Sequence, residues 1–278
     1  MTIELPPELE QFRSRIEKTV KPCVDIHTQL TRDTTLWQSK FLGLPYLPKS
    51  FEYPKDPEGN YLYLLAQINF EELPSMENFP EKGILQFYIS DQGEHFGCDF
   101  DDQTSQMGFR VLYFSEPVLD LERLVTNFDF LPVVWEREDV PFCMDPSYIP
   151  HKDDCFALEF QRSFRPITTT DYQCEDYLGK NFLELLSQND DLWQEYHDSF
   201  EAGHRLGGYP DFTQDDPRQF LPQEQEPYIL LLQIYHDLNA NKKIQIEWGD
   251  IGICNFFIQE SFLKRLDFSN VMYNWDCG

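Results

Sequence analysis

Apolar residues recur along the chain in short runs that predict a β-rich fold. Runs typical of strands lie at 61–68, 84–89, 109–114, 228–235, 243–248 and 253–258, and further apolar runs lie at 131–135 and 156–164. Several of them, such as Leu230-Leu231-Leu232, are continuous rather than alternating. Continuous runs indicate central strands that are covered on both faces of a sheet.

Other segments carry helical spacing and predict helices at the periphery. Leu9, Phe12 and Ile16 fall on one face of a helix over 6–20. Further helices are predicted as a connector over 171–200 with a break at 189–191, and as short segments at 116–128 and 261–266. The predicted fold class is therefore α+β, β-rich, with peripheral helices.

Three short motifs occur twice in the same order, which predicts an internal duplication. SKFLGLP at 39–45 aligns with HRLGGYP at 204–210, LLAQI at 64–68 with LLLQI at 230–234, and GILQFYI at 83–89 with GICNFFI at 252–258. We predict two strand–turn–strand units, about 39–89 and 204–258, in a pseudo-two-fold arrangement within one globular domain, 1–278. The positions that define the unit are Gly43, Pro45, Gln67 and Gly83, and in the second copy Gly208, Pro210, Gln233 and Gly252.

Each unit carries a glutamine inside an apolar strand, Gln67 in the first and Gln233 in the second. A buried amide must find hydrogen-bond partners, because leaving it bare costs ~1–3 kcal/mol. We expect each glutamine to bond the backbone of the Gly-x-Pro loop in its own unit. The alternative is a ligand-orienting pair at the axis between the units.

The net charge of the chain limits the classes of partner that we predict for it. The 278 residues include 22 Lys+Arg and 49 Asp+Glu, a formal net charge of −27 at pH 7. Such a charge repels nucleic-acid backbones and anionic membranes, so we predict neither as a partner. It attracts basic proteins and cations, although many acidic proteins use their charge for solubility alone.

The repeated motifs, with TQDDPR at 213–218, WGDIGICNFFI at 248–258 and YNWDCG at 273–278, resemble the YwqG-like family of uncharacterised, mainly bacterial proteins. The resemblance runs from about Ser39 to Gly278. It implies an α+β fold with internal duplication, a cytoplasmic location and, through relatives near toxin–immunity loci, an inhibitory binding role. It brings no established activity or catalytic residues. The chain departs from the family at Leu42-Gly43, where a Gly-Gly pair is usual.

The richest polar segment is the second Gly-x-Pro loop. Its candidate ligand- or partner-binding residues are His204, Arg205, Tyr209, Gln214, Asp215 and Arg218. Histidine beside carboxylates supports acid–base chemistry, and the adjacent glycines let a ligand approach the backbone. The alternative is a loop held by its own hydrogen bonds, in which aspartates accept from nearby backbone N–H groups and an arginine pairs with an aspartate.

Metal and cofactor motifs are weak in this sequence, and we predict neither group. His95 and Cys98, with Asp99, Asp101 and Asp102, offer ligand atoms but lack the spacing of a zinc or calcium site. No phosphate-binding or dinucleotide-binding glycine motif is present in the sequence. Cys277 is a poor nucleophile, because the neighbouring Asp276 would raise its pKa.

Two hypotheses about function follow. The first is a cytoplasmic binding or interaction protein, such as an immunity-type inhibitor that captures a basic protein. The alternative is a small-molecule enzyme with a polar site between His204 and Arg218. The oligomeric state is not predicted by the sequence.

Seven cysteines are scattered along the chain without a CxxC pair. The odd number and the acidic N-terminus, which does not resemble a signal peptide, predict reduced thiols. Alkylation of the unfolded protein without reductant, followed by intact-mass measurement, should therefore add seven labels. Fewer labels would contradict the expectation of a reducing compartment.

Overall fold

Antiparallel strands make up most of the regular structure, as the apolar runs predict. The computed structural model describes residues 3–93, 95–134, 140–238 and 243–278. Its strands are β1 (Lys21–Thr31), β2 (Lys40–Leu42), β3 (Tyr63–Asn69), β4 (Ile84–Ile89), β5 (Phe109–Phe114), β6 (Phe142–Met144), β7 (Cys155–Arg165), β8 (His204–Gly207), β9 (Tyr228–Tyr235), β10 (Ile244–Ile246), β11 (Ile253–Gln259) and β12 (Met272–Asp276). Strands β3, β4 and β11 are buried at every position, which confirms that the continuous apolar runs are central strands.

The predicted helices form at three of four places. The helices are α1 (Arg13–Thr19), α2 (Cys174–Leu178), α3 (Lys180–Ser187), α4 (Asp190–Phe200) and α5 (Glu260–Lys264). The predicted break is an N-cap, because the side chain of Asn189 accepts from the N–H of Leu192. The helix predicted over 116–128 is wrong: that segment holds a single 3₁₀ turn, Leu121–Arg123. Pro117 removes a backbone donor near its start.

Ten strands form one sheet in the order β12-β11-β9-β8-β1-β7-β2-β3-β4-β5. All neighbouring pairs in it are antiparallel. From the central β1–β7 pair, β8, β9, β11 and β12 follow on one side, and β2, β3, β4 and β5 follow on the other. Both predicted units therefore lie in one continuous sheet, while β6 and β10 form a separate pair.

In the central pair, β7 contains the apolar run at 156–164, whereas β1 was not predicted from the sequence. The register runs without a break from Lys21 opposite Arg165 to Thr31 opposite Cys155. Pro22 and the polar residues of β1 hide its period-two alternation, in which Val24 and Ile26 are buried and His27 is exposed. The long antiparallel ladder joins the two halves of the sheet.

The sheet curls until its edge strands approach each other. The segment between β4 and β5 crosses the β12 edge: the N–H of Tyr273 donates to the carbonyl of Gln103 (2.8 Å), and Trp275 Nε1 donates to His95 O (2.9 Å). Inside the curl, the rings of Phe87 and Phe256 from opposite halves lie 4.7 Å apart. This interior holds the largest apolar cluster.

The outer faces of the two halves are covered differently. Helices α1 to α4 cover the second half, where Ile16, Phe182 and Tyr196 pack around Tyr209 of the Gly-x-Pro loop. The first half carries a smaller cluster that includes Tyr53, Leu64, Tyr88 and Phe128. No helix among the described residues has the length and apolarity needed to cross a membrane.

Gln67 and Gln233 are fully buried and bond their own loops, as predicted. Gln67 Oε1 accepts from the N–H of Tyr46 (2.8 Å), and its Nε2 donates to Gln38 O (2.8 Å). In the second half Gln233 Oε1 accepts from the N–H of Asp211 (2.7 Å), and its Nε2 donates to Gly203 O (2.8 Å). Each donating N–H belongs to the residue after the loop proline, and each accepting carbonyl lies five residues before the loop glycine.

A side chain from the strand next to each glutamine donates a further hydrogen bond to the same loop. Gln86 Nε2 of β4 donates to Tyr46 O (2.7 Å), and Asn255 Nδ2 of β11 donates to Asp211 O (2.9 Å). The residue after each proline is therefore held at both its N–H and its carbonyl. The predicted duplication stays a prediction, which these matching contacts support.

Replacing Gln67 by leucine should destabilise the protein by roughly 1–3 kcal/mol, because the N–H of Tyr46 and the Gln38 carbonyl lose their partners inside the protein. Gln233→Leu should act similarly through Asp211 and Gly203. Urea unfolding measures the change, with exposed Gln219→Leu as the control. If Gln67→Leu unfolds like the control, the amide contacts do not hold the loop.

Candidate functional site

The predicted site residues between His204 and Arg218 do not converge on one place. His204 on β8 is buried, and its Nδ1 accepts a hydrogen bond from the N–H of Tyr235 on the neighbouring strand β9 (3.0 Å). The ring proton therefore lies on Nε2, which is 3.8 Å from Asp237 Oδ2. The neighbouring Phe41 ring packs edge-on against the imidazole at 5.3 Å.

Arg205 is a fully buried cation that is surrounded by backbone carbonyls. Its guanidinium donates to the carbonyls of Phe200, Glu201, Ala202 and Tyr209. Burial lowers the pKa of Arg205 to about 10, and the charge of Arg165 adds to this effect. Its role is to satisfy carbonyls that no strand pairs.

Lys40, which aligns with Arg205 in the repeat, plays the same part in the first half and was missed as a motif residue. Its Nζ donates to the carbonyls of Thr35 (2.6 Å) and Leu44 (3.3 Å). These carbonyls lie five residues before and four residues after the cation, as do those of Phe200 and Tyr209 around Arg205. Burial lowers the pKa of Lys40 to about 8.

Arg218 lies elsewhere, in a buried ion triad with Asp171 (2.7 Å) and Asp216 (2.6 Å). Burial acts to lower the pKa of Arg218, but the hydrogen bonds and charges of the two aspartates outweigh it and raise that pKa. Gln214 Nε2 donates to Cys277 O (2.7 Å), and Asp215 is exposed. The geometry is that of a loop held by its own contacts.

The structure brings together a different set of titratable groups beside that loop. His197 lies in the last turn of α4, Glu201 is the residue that follows the helix, and Asp211 follows Pro210 of the loop. His197 Nε2 is 3.2 Å from Asp211 Oδ2 and 3.3 Å from the hydroxyl of Tyr235. The i, i+4 spacing on a helical segment was the available signal in the sequence, but Asp211 joins the group only through the fold.

Burial and the carboxylate of Asp211 shift the pKa values of Glu201 and His197. Burial raises the pKa of Glu201 to about 7, and the charge of Asp211 adds to it. For His197, burial alone would lower the pKa, but the hydrogen bond and charge of Asp211 outweigh it and raise that pKa. Glu201 therefore keeps its proton up to about pH 7, and His197 keeps its proton to a higher pH than a free imidazole does.

One ligand atom from each of these three residues lies within 4.8 Å of the others, which is the spacing needed to hold a cation. Their oxygens are already engaged: the N–H and hydroxyl of Thr169 donate to Glu201, and the Thr170 hydroxyl (2.9 Å) donates to Asp211. Cation binding would have to displace these donors. The hydrogen bonds instead connect α4 and the residues before α2 to the loop.

A partly enclosed cavity of about 160 Å³ lies at the first Gly-x-Pro loop. Leu42, Gly43 and Leu44 form one wall, and Tyr53, Tyr61, Tyr63 and Phe128 supply aromatic rings. The backbone of this wall is unusual, because Leu42 has φ 60° and Gly43 has φ 75°. A Cβ on Gly43 would lie 2.7 Å from Cys155 Cβ, so only glycine fits there.

Leu42 stands where the second loop has Gly207, which also has positive φ at 66°. A leucine in this region is strained, and such strain persists only where the surroundings impose it. The side chain of Leu42 is 2% exposed and lines the cavity. The departure from Gly-Gly that the sequence shows at this position therefore supplies a cavity wall.

Tyr63 adds a buried hydroxyl with no hydrogen-bond partner within the described residues. Burial raises its pKa, and the charge of Asp91 raises it further, so the hydroxyl remains a neutral donor. Asp91, Asp129, Asp154 and Lys152 also line the cavity. The remaining walls are aliphatic or aromatic, which is typical of small-ligand sites.

The protein is thus an acidic antiparallel β protein with a cavity at the first Gly-x-Pro loop and a buried titratable cluster at the second. A family model for a domain of unknown function, DUF1963, matches residues 39–277. The chain belongs to the DUF1963 family. A comparison with curated proteins finds no match.

The cluster on α4 predicts a pH dependence of stability. The folded protein keeps a proton on Glu201 up to about pH 7, whereas unfolded Glu201 loses it near 4.5. The free energy of unfolding should therefore fall as the pH rises from 5 to 8. In Glu201→Gln this fall should shrink by roughly 1–3 kcal/mol. Exposed Glu195→Gln on the same helix should keep the wild-type slope; an unchanged slope in Glu201→Gln would contradict the assignment.

Proposed function

We propose that this protein is a binding protein whose ligand site is the cavity at the first Gly-x-Pro loop. The observation that carries the proposal is the cavity itself, about 160 Å³ behind Leu42, Leu44 and the tyrosine walls. Protein interiors are close-packed, and voids larger than a water molecule are few. An engineered apolar cavity of about 150 Å³ in another protein binds benzene, so this space suits a group of that size.

The comparison of the two loops supports a site in the first half. Tyr209 occupies the position of Leu44 in the second repeat and packs among the helices, where Lys21 Nζ lies 4.0 Å from its ring centroid. No such covering by helices is present over Leu44 among the described residues. The smaller leucine and the missing cover leave room for a ligand.

The alternative of an enzyme between His204 and Arg218 receives less support from the geometry. His204 accepts from a backbone amide, Arg205 bonds backbone carbonyls, and Arg218 is paired with Asp171 and Asp216. These contacts already account for the side chains that would bind a substrate. Shifted pKa values in the neighbouring cluster also arise in purely structural networks.

The broader assignment is part of the same proposal. The matching loop contacts support an internal duplication, and the shared motifs support a place in the YwqG-like group. All seven cysteines are free thiols, which suits a reducing compartment such as the cytoplasm. With a net charge of −27, the partner is expected to be basic or cationic, as for an immunity-type inhibitor of a basic protein.

The proposal is tested by the binding of benzyl alcohol, a neutral probe, to the wild-type protein and to variants in which a larger side chain fills the cavity. At ten times its Kd, a ligand adds ~1.4 kcal/mol to stability, which raises the melting temperature by a few degrees. Half-buried Leu131 lines the cavity, so Leu131→Trp should abolish this shift. Leu119→Trp, at an exposed site outside the cavity, should keep it.

Val133→Trp is a second filling variant at a more exposed position of the wall, in case the first variant folds poorly. The expected result for it is the same loss of the benzyl alcohol shift. A wild-type protein that shows no shift, or a shift that survives both filling variants, would refute the cavity as the binding site.

A further inference from the structure

The charged side chains that line the cavity are bonded within the chain. Asp129 pairs with Lys152, and their side chains are 70% and 41% exposed, so this pair lies at the mouth. Asp91 accepts a hydrogen bond from Gln92 Nε2 (2.7 Å). A charged ligand at the mouth would therefore meet an ion pair, in which one of the two charges repels it whatever its sign.

Asp154 is a buried lining residue with both carboxylate oxygens engaged. Its Oδ1 accepts from Arg32 Nε (2.5 Å) and from the Tyr148 hydroxyl (2.9 Å), and its Oδ2 accepts from the N–H of His151 (2.6 Å). Burial acts to raise the pKa of Asp154, but these bonds outweigh it and hold that pKa low. A ligand would have to displace one of these donors to reach the carboxylate.

The cavity therefore offers little to replace the hydration of an ion. Moving an ion out of water is costly unless a counter-ion and hydrogen bonds take the place of the water. The net charge of −27 attracts cations toward the surface, but it supplies no unpaired partner inside the cavity. Lys55 Nζ already lies 4.8 Å from the ring centroid of Tyr61, so the chain itself provides a cation over that ring. An uncharged ligand avoids these costs.

Aromatic rings form much of the remaining wall. Tyr53, Tyr61 and Phe128 line the cavity, and Phe130 lies beside them. The Tyr53 ring meets the rings of Tyr61 (5.7 Å) and Phe130 (5.8 Å) edge to face. Such contacts between rings stabilise beyond the area that they bury. A flat aromatic ring in the cavity can make them, whereas a saturated ring cannot.

We infer that the cavity selects an uncharged aromatic ring, held against the tyrosines and Phe128. This inference rests on the proposed function and adds the chemical class of the ligand. A free small molecule is the occupant argued here, because a space of about 160 Å³ suits a group the size of benzene.

Four probes of similar size separate charge and aromaticity from fit. Titration calorimetry would compare benzyl alcohol with benzylamine, benzoate and cyclohexylmethanol. Benzylamine and benzoate should each bind about tenfold more weakly than benzyl alcohol, because each brings an ion for which the cavity has no free counter-ion. Cyclohexylmethanol should bind about threefold more weakly although it is more apolar, because it loses the contacts between rings.

A variant of the wall tests the aromatic preference. Half-buried Tyr61→Leu removes one ring and keeps the wall apolar, so benzyl alcohol should lose most of its advantage over cyclohexylmethanol. Tyr177→Leu makes the same change at a 48% exposed site outside the cavity, and the advantage should remain.

A variant of the mouth tests the role of charge pairing. Lys152→Gln leaves Asp129 without its ammonium partner, so the disadvantage of benzylamine should shrink about two- to fivefold, while benzoate should bind no better. Lys180→Gln breaks an exposed pair with Glu184 on α3, and all ratios should stay as in the wild type.

The outcomes distinguish the two proposals. If a charged probe or cyclohexylmethanol binds as tightly as benzyl alcohol, the inference is overturned, while loss of binding in Leu131→Trp still supports the cavity as the site. If Tyr61→Leu and Lys152→Gln keep the wild-type ratios, the preference does not come from this wall and the inference is overturned. If no probe binds, both proposals fail.

Discussion

The buried amides of Gln67 and Gln233 are the contacts on which the two loops of this protein depend. Each Gly-x-Pro loop carries backbone groups into the sheet interior where no strand pairs them, and an unpaired buried group costs roughly 1–3 kcal/mol. The amide side chains satisfy these groups, and the buried cations Lys40 and Arg205 take the carbonyls on either side. With the loops held, the cavity wall and Asp211 acquire fixed positions.

The elements that pack over each loop determine the chemical environment of its side chains. Helices pack over the second loop, and His197, Glu201 and Asp211 form a largely buried network in which burial raises the pKa of Glu201 and Asp211 raises the pKa of His197. Over the first loop the cover is thinner, and tyrosines and aspartates surround open space. The same backbone device therefore supports a closed structural cluster in one half and a candidate ligand site in the other.

The charged residues of the chain act both at long range and in close contacts. The net charge of −27 acts over about a Debye length and favours the approach of cations. Inside the protein, ionised side chains lie in close pairs: Arg218 bonds Asp171 and Asp216, Lys152 bonds Asp129, and Arg32 bonds Asp154.

Periodicity and repetition in the sequence determined the class of fold, most strands and the environment of the glutamines, because continuous apolar runs and a buried amide each have few physical solutions. Strand β1 was not predicted from the sequence, because its polar side chains face outward and Pro22 obscures the alternation of buried and exposed positions. The cavity and the His197–Asp211 contact arise only from tertiary structure. They join residues far apart in sequence, and local patterns carry no information about which elements pack over which loop.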